Sequence, residues 1–242
     1  MDGLSYYRDG QLQLAINALS DELKKQPLDA KRRTFLFELL CFAGEYDRAS
    51  KQLDILSDAS KEAAAGAMLY RAALHAERTR QEMFAKNELP LGAGHPSPSG
   101  EWNSREFFSL EDADPRIGAN LEAFIAGSYT WVPFAYVESI TVRPPKKLRD
   151  LLWMPAILHT TSDFRLQDLG EILLPAIAPL SWKHPDDAVR LGRSTAWEED
   201  ETHGTVPYGQ KTLLRGDEEE PFLELRSLIF QHVGETVENA TT

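Results

Sequence analysis

Asp112 and Asp114, in the stretch Glu111-Asp112-Ala113-Asp114-Pro115-Arg116, are the side chains whose types and spacing most invite chemistry. Two carboxylates at i and i+2 can offer oxygens to a hard cation or accept a phosphoryl group. Their surroundings argue against both uses. A calcium loop needs further oxygen ligands, a glycine at its sixth position and a distant bidentate Glu, and none follows at that spacing. A phosphoryl-accepting aspartate closes an apolar strand, whereas Phe107-Phe108-Ser109-Leu110 makes only a weak one. A structural role is expected instead: an Asp caps a short helix over Ile117–Ala126, which Gly127 ends, and Arg116 pairs with a carboxylate, for which Glu122 is a candidate.

The remaining reactive residue types are scattered. His159 near Asp163 and His184 near Asp186 resemble oriented bases, but no nucleophile stands in a recognisable setting. Cys41 lies in a helical stretch without the elbow or His partner that activates a thiol, Ser194 falls in a turn or strand, and there is no Gly-x-Ser-x-Gly run. No two histidines stand at i, i+4 and the single cysteine has no mate, so a zinc site is not expected. The glycines between Leu89 and Asn103 lack the Lys-Ser/Thr pair of a phosphate loop. No catalytic residue, cofactor or metal is therefore expected. The alternatives are a hydrolase-type enzyme using Asp112, Asp114 or His159 in a cleft between domains, or a general peptide-binding adaptor.

The elements that must position these residues begin with a repeat. Gly10, Leu12, Ala15 and Leu19 recur 34 residues later as Gly44, Tyr46, Ala49 and Leu53, which is the tetratricopeptide period. Leu12, Ala15, Ile16, Leu19 and Leu23 fall on one face of a helix. A second helix follows Pro27 and Asp29 and breaks at Gly44, a third runs from about Tyr46 to Leu56, and a fourth starts near Ser60. With Ala30 as the first repeat position, Leu36, Leu40, Tyr70 and Leu74 take core slots. Lys31, Thr34, Phe35, Glu38, Cys41, Phe42, Met68, Leu69 and His75 take groove slots. Phe35, Phe42, Met68 and Leu69 are thus candidate partner-binding residues for a helix laid in the groove. The competing reading packs the same four against the rest of the chain.

The composition of residues 89–104 is that of a linker, rich in Gly, Pro and Ser, between a tetratricopeptide-like helical domain over 1–88 and an α+β domain over 105–242. In the latter the period changes to two, and strands are predicted over Tyr129–Val137, Ser139–Val142, Leu151–His159, Glu171–Ile177, Val189–Trp197, Gly204–Leu214 and Phe222–Phe230. Their shortness predicts a small antiparallel sheet or barrel, with Pro133, Pro155 and Pro175 at edges or bulges. The run Tyr129-Thr130-Trp131-Val132-Pro133-Phe134 reads as core, each buried ring contributing about 2–3 kcal/mol, or else as a proline-recognising groove.

With 42% hydrophobic and 26% charged residues, the chain is of soluble globular composition and contains no run approaching the ~20 apolar residues that span a bilayer. A start without a basic region and apolar core, together with one cysteine, leads to the expectation of a cytoplasmic protein away from membranes. The net charge of −12 is unevenly spread: residues 1–90 carry 13 basic and 14 acidic side chains, residues 91–242 carry 13 and 24. Nucleic acid is not an expected partner of so acidic a surface.

In the second half, Asp112, Asp114, Arg116, Gly118, Leu121 and Glu122, followed by Gly127-x-Tyr129-x-Trp131-x-Pro133, form a block that resembles the ImpE family, also called SciE or TagJ. The resemblance continues through Arg149-Asp150-Leu151-Leu152-Trp153-x-Pro155-Ala156, Leu174-Pro175 and Leu191-Gly192-Arg193-x-Thr195-x-Trp197. It ends with Gly209-Gln210-Lys211 and Leu223-Glu224-Leu225-Arg226. It implies a non-catalytic adaptor of the type VI secretion system, a contractile injection machine. The partner so implied is the small sheath subunit, TssB-like, bound through an N-terminal helix of that subunit, with a ClpV-type ATPase as an indirect one. It does not say which face of the chain takes the helix.

Overall fold

Capped turns and one-sided apolar stripes build the first half of the chain. The computed structural model describes residues 1–58, 61–90, 95–164 and 169–232. Ser60, the expected start of the fourth helix, and residues 91–94 of the expected linker lie outside the described residues. Five helices follow one another: α1 (Gly3–Arg8), α2 (Leu12–Lys25), α3 (Ala30–Phe42), α4 (Tyr46–Ser57) and α5 (Lys61–Lys86). The periodicity predicts four helices and does not reveal α1, whose first turn is capped by Asp2 accepting from the Ser5 amide at 2.8 Å. Asp29 caps α3 in the same way through the Arg32 amide, at 3.0 Å. Gly44 ends α3 with φ of +71°, and a Cβ there would stand 2.5 Å from the Trp182 ring. Only glycine fits beneath that indole.

The second half is a mixed α/β arrangement dominated by antiparallel strands. The strands are β1 (Gly100–Trp102), β2 (Arg105–Phe107), β3 (Leu110–Asp112), β4 (Asn120–Ile125), β5 (Ser128–Pro133), β6 (Val137–Val142), β7 (Trp153–Thr160) and β8 (Glu171–Pro175). After the short helix α6 (Asp187–Arg190) come β9 (Thr195–Asp200), β10 (Gly204–Gly209), β11 (Thr212–Arg215), β12 (Glu218–Pro221) and β13 (Ser227–Phe230). Eight of them form one sheet in the order β2-β1-β13-β6-β7-β8-β4-β5, with a β9–β10 ribbon and a three-stranded β12-β11-β3 sheet beside it. The last residues of the expected linker are therefore β1, paired with β13 from the far end of the chain.

Several sequence expectations are corrected here. The helix expected over Ile117–Ala126 is strand β4, paired residue for residue with β5 across the Ala126-Gly127 turn. All six of its residues are buried, because one face meets the sheet core and α5 lies over the other. A strand covered on both faces loses the alternation by which strands are recognised. The strand expected over Val189–Trp197 is divided between α6 and β9, and the one over Gly204–Leu214 between β10 and β11. Phe134–Tyr136 is a 3-10 turn rather than strand. Pro155 pairs with Leu173 of β8 beyond the point where β6 pairing stops at Ala156, so on that side it is an edge.

One apolar core fills the sheet around Trp102, Ile140, Phe134, Phe222 and Leu228. A second joins the helices to the sheet, since Leu12, Ile16, Phe37 and Leu40 pack with Phe124, Leu152, Trp153 and Leu191. The agent of that union is α5, about 39 Å long at 1.5 Å per residue over its 26 residues. Its first turns are largely exposed; from Ala73 onward it is buried against β4 and β5. No helix among the described residues is long and apolar enough to cross a membrane.

Candidate functional site at the helix–sheet junction

Where α5 crosses the sheet, its inward stripe turns from apolar to charged. Ala73, Leu74 and Ala76 give way to Glu77, Arg80 and Gln81, all buried. Arg80 meets Glu122 of β4 with two parallel hydrogen bonds, Nε to Oε1 at 2.8 Å and Nη2 to Oε2 at 2.9 Å, and also donates to the Ile177 carbonyl at 3.0 Å. Lys211 reaches Glu122 from the other side and binds Asp112 at 2.7 Å. The Tyr129 hydroxyl donates to Glu122 and accepts from the Trp131 indole. Glu77 accepts from the Trp153 indole at 2.9 Å and from Gln81 at 2.6 Å, while Gln81 accepts from the Leu180 amide at 2.8 Å.

The acid pair singled out in the sequence is spent within this network. Asp112 Oδ1 accepts the Asp114 amide at 2.9 Å, and Asp114 holds Arg116 at 2.8 and 2.6 Å, with the guanidinium over the Phe84 ring at 4.9 Å. Arg116 thus pairs with Asp114, correcting the expected pairing with Glu122, which β4 turns instead toward Arg80 and Lys211. Burial raises the Glu122 pKa, but Arg80 and Lys211 outweigh it and hold the carboxyl well below the usual range. Burial pushes Asp112 up to about 7 against the pull of Lys211. Burial and the Glu122 charge raise Tyr129 far above an ordinary phenol. Such an arrangement stores and orients charge. Its oxygens face cations and amides of the chain itself, and among the described residues no group of three or more His, Cys, Asp or Glu is placed to hold a metal.

Of the expected signature residues, Asp112, Asp114, Arg116, Glu122, Tyr129, Trp131 and Trp153 are brought together at this junction. Gly118 turns the chain into β4, its carbonyl accepting from the Asp112 and Asn120 amides, and Pro133 pairs with Asn120 at the end of β5. Asp150 pins another turn by accepting from the amides of Lys146 and Lys147 at 2.9 and 3.0 Å. Arg193 lies elsewhere: it donates to the Arg8 carbonyl at 3.1 Å and to that of Tyr7, closing the last turn of α1, and stacks over the Tyr7 ring at 4.6 Å. Trp197 is half exposed on β9. Neither belongs to the junction. His159 is exposed on β7 opposite Ser139, and Cys41 is buried, which pushes its thiol up and away from reactivity.

The groove residues fare differently. Phe42 is only 2% exposed, a core residue, so its expected contact with a partner is withdrawn. The trough beside α3 is covered past Phe37, Glu38 and Phe42 by the chain's own 3-10 turn, Leu148–Leu151, and the start of β7, while a cleft stays open past Lys31, Thr34 and Phe35. Arg149 meets Glu38 at 3.6 Å and covers the Tyr70 ring at 4.4 Å, and Trp153 packs on Phe37 with ring centroids 6.3 Å apart. Phe35 is half-buried, edge-on to Tyr7 at 5.4 Å. Met68 and Leu69 stand outside, 73% and 56% exposed on the first turns of α5. Sequence reading missed Glu77, Arg80 and Gln81. The signal was available: continuing the stripe of Leu74 by three, six and seven residues lands on them, and charged side chains on an inward face must find buried partners.

The model of the ImpE protein family matches residues 104–229, just over half of the chain. This chain belongs to the ImpE family. The matched segment holds Asp112, Glu122, Trp153 and Lys211, whereas Glu77 and Arg80 lie before it, so the ImpE segment is clamped by a helix outside its own limits. The chain is 30% identical to the type VI secretion system accessory component TagJ of Pseudomonas aeruginosa, over 93% of this chain and 89% of that protein. Its fold is that of protein VPA1032 from Vibrio parahaemolyticus, a crystal structure that superposes with a TM-score of 0.81 at 23% identity. That match covers 96% of this chain and 98% of the other.

Proposed function

We propose that this ImpE-family chain is a non-catalytic, cytoplasmic accessory protein of a type VI secretion system. It acts as an adaptor for an N-terminal helix of the small sheath subunit, TssB-like, and is thereby linked to sheath assembly or to recycling by a ClpV-type ATPase. The observation that carries this reading is the 30% identity with the accessory component TagJ along 93% of the chain.

A tetratricopeptide-like character of residues 1–88, with 89–104 linking them to 105–242, is part of the proposal. In its support, α2 and α4 start 34 residues apart, Gly10 and Gly44 ahead of them share a positive φ (+76° and +71°), and Ala15 and Leu19 are buried like Ala49 and Leu53. The hydrolase alternative loses support from the buried ion pairs of Asp112 and Asp114 and from the exposed position of His159. For docking, Phe35, Met68 and Leu69 remain in the proposal and Phe42 leaves it.

Titration calorimetry of the full chain with the small sheath subunit of the same organism tests the reading. Saturable binding that disappears when the subunit's N-terminal helix is removed is the expected result. No binding by the intact subunit, or binding indifferent to that helix, would overturn it.

A further inference from the structure

Among the described residues Lys31, Arg143, Lys146 and Lys147 form no ion pair with an acid, and all four lie around one turn of the chain. Two clefts flank the Leu148–Leu151 turn. One runs along α3 past Lys31, Thr34 and Phe35, the other along β6 and β7 past Tyr70, Arg143, Lys146 and Ile157, and both are lined by Lys147 and Arg149. Arg143, Lys146 and Lys147 are exposed and make no ion pair among the described residues, nor does Lys31. The neighbouring acids do not neutralise them. Glu38 is buried and faces Arg149, and the Asp150 carboxylate is turned onto the amides of Lys146 and Lys147 rather than their side chains. Glu171 lines the β6–β7 cleft as the cross-strand partner of Ile157 and forms no ion pair with Arg143, Lys146 or Lys147 among the described residues. Pro144 and Pro145 stiffen the strap that carries these cations.

The lining is also apolar. Phe35 and Leu148 are half-buried, and Ile157 is 41% exposed on the outer face of β7. Positive charge concentrated beside apolar surface, on a chain of net charge −12, is complementary to a ligand that is acidic on one side and apolar on the other. We infer that this two-lobed cleft docks an acidic, amphipathic segment of a partner protein. Its carboxylates rest on Lys31, Arg143, Lys146 and Lys147, and its apolar side rests on Phe35, Leu148 and Ile157. The inference rests on the adaptor reading only in taking the occupant to be a protein segment. A long polyanion such as nucleic acid is disfavoured because the surrounding half of the chain carries 24 acidic side chains against 13 basic ones.

A random-peptide display library, panned on the full chain, provides the probe. The expected outcome is enrichment of peptides rich in Asp and Glu with apolar residues at helical spacing. Synthetic copies of these should bind about tenfold or more weakly to Lys146→Glu/Lys147→Glu, and more weakly to wild type as salt is raised. Both substitutions are on exposed side chains, and circular dichroism matching wild type keeps the comparison fair. Enriched peptides without acidic residues, or affinity indifferent to the double charge reversal, would overturn the inference. So would equal or tighter binding of a single-stranded oligonucleotide. Failure here with intact sheath-subunit binding removes the cleft alone. Success here without sheath-subunit binding removes the adaptor reading and leaves the cleft.

Discussion

The α5–β4 junction and the Arg143–Arg149 strap both concentrate basic side chains, and they treat them in opposite ways. At the junction Arg80 and Lys211 are buried with Glu122, Asp112 and Glu77 within reach. On the strap Arg143, Lys146 and Lys147 are exposed and unpaired among the described residues. Taking charge out of water is costly unless a partner is fixed in place, so the buried set specifies one mutual placement of helix and sheet. An exposed, uncompensated set does nothing for the fold and is available to another molecule. Residues that mark the family in the sequence therefore include many that hold the molecule together rather than act on a partner.

The largest break in this contrast comes from removing Arg80. Arg80→Met leaves Glu122 and Glu77 short of their buried partner and is expected to cost about 3–5 kcal/mol in urea unfolding, with secondary structure kept at low denaturant. A loss under about 1 kcal/mol would mean that the junction admits water and does not clamp the two layers.

The pH dependence of stability sharpens the comparison within the junction itself. Asp112, raised by burial to about 7, binds a proton in the folded chain that the unfolded chain has released, so its contribution falls as pH rises from the ordinary Asp range to about 7. Glu122, held low by Arg80 and Lys211, has the opposite sign: its contribution is present above the ordinary Glu range and is lost as pH falls through the folded pKa. Glu38, also raised by burial to about 7, acts in the same window with the same sign, so Asp112→Asn should lessen but not abolish the decline of unfolding free energy between pH 5 and pH 7. Parallel wild-type and variant profiles would place Asp112 outside that window. The smallest effect is expected on the strap, where Lys146→Glu/Lys147→Glu should move the unfolding free energy by no more than about 0.5 kcal/mol. A larger loss would give those lysines a structural role.

What could be read from the sequence follows from how many faces of an element are covered. The one-sided stripe of α2, Leu12 to Leu23, is legible because water takes the other face. β4 is not, since α5 and the sheet bury it from both sides and Asn120–Ile125 then carries no period. The repeat arithmetic located the groove positions of α3 but carried no information on what lies over them, and Phe42 became core under the chain's own second half. The acids Asp112, Asp114 and Glu122 stood out in the sequence. Their partners Arg80 and Lys211, 42 and 89 residues from Glu122, are chosen by tertiary packing that no local spacing encodes.

Amide hydrogen exchange on the full chain, with and without the small sheath subunit, tests the central claim most directly: recognition uses the outer surface while the trough past Phe37, Glu38 and Phe42 stays covered by its own turn. Added protection should appear at Lys31–Phe35, Met68–Leu69 and Arg143–Arg149, with exchange unchanged at Leu39–Phe42 and Glu77–Phe84. Faster exchange over Leu148–Trp153 together with new protection at Leu39–Phe42 would mean that the partner displaces the turn and enters the trough, contradicting the account.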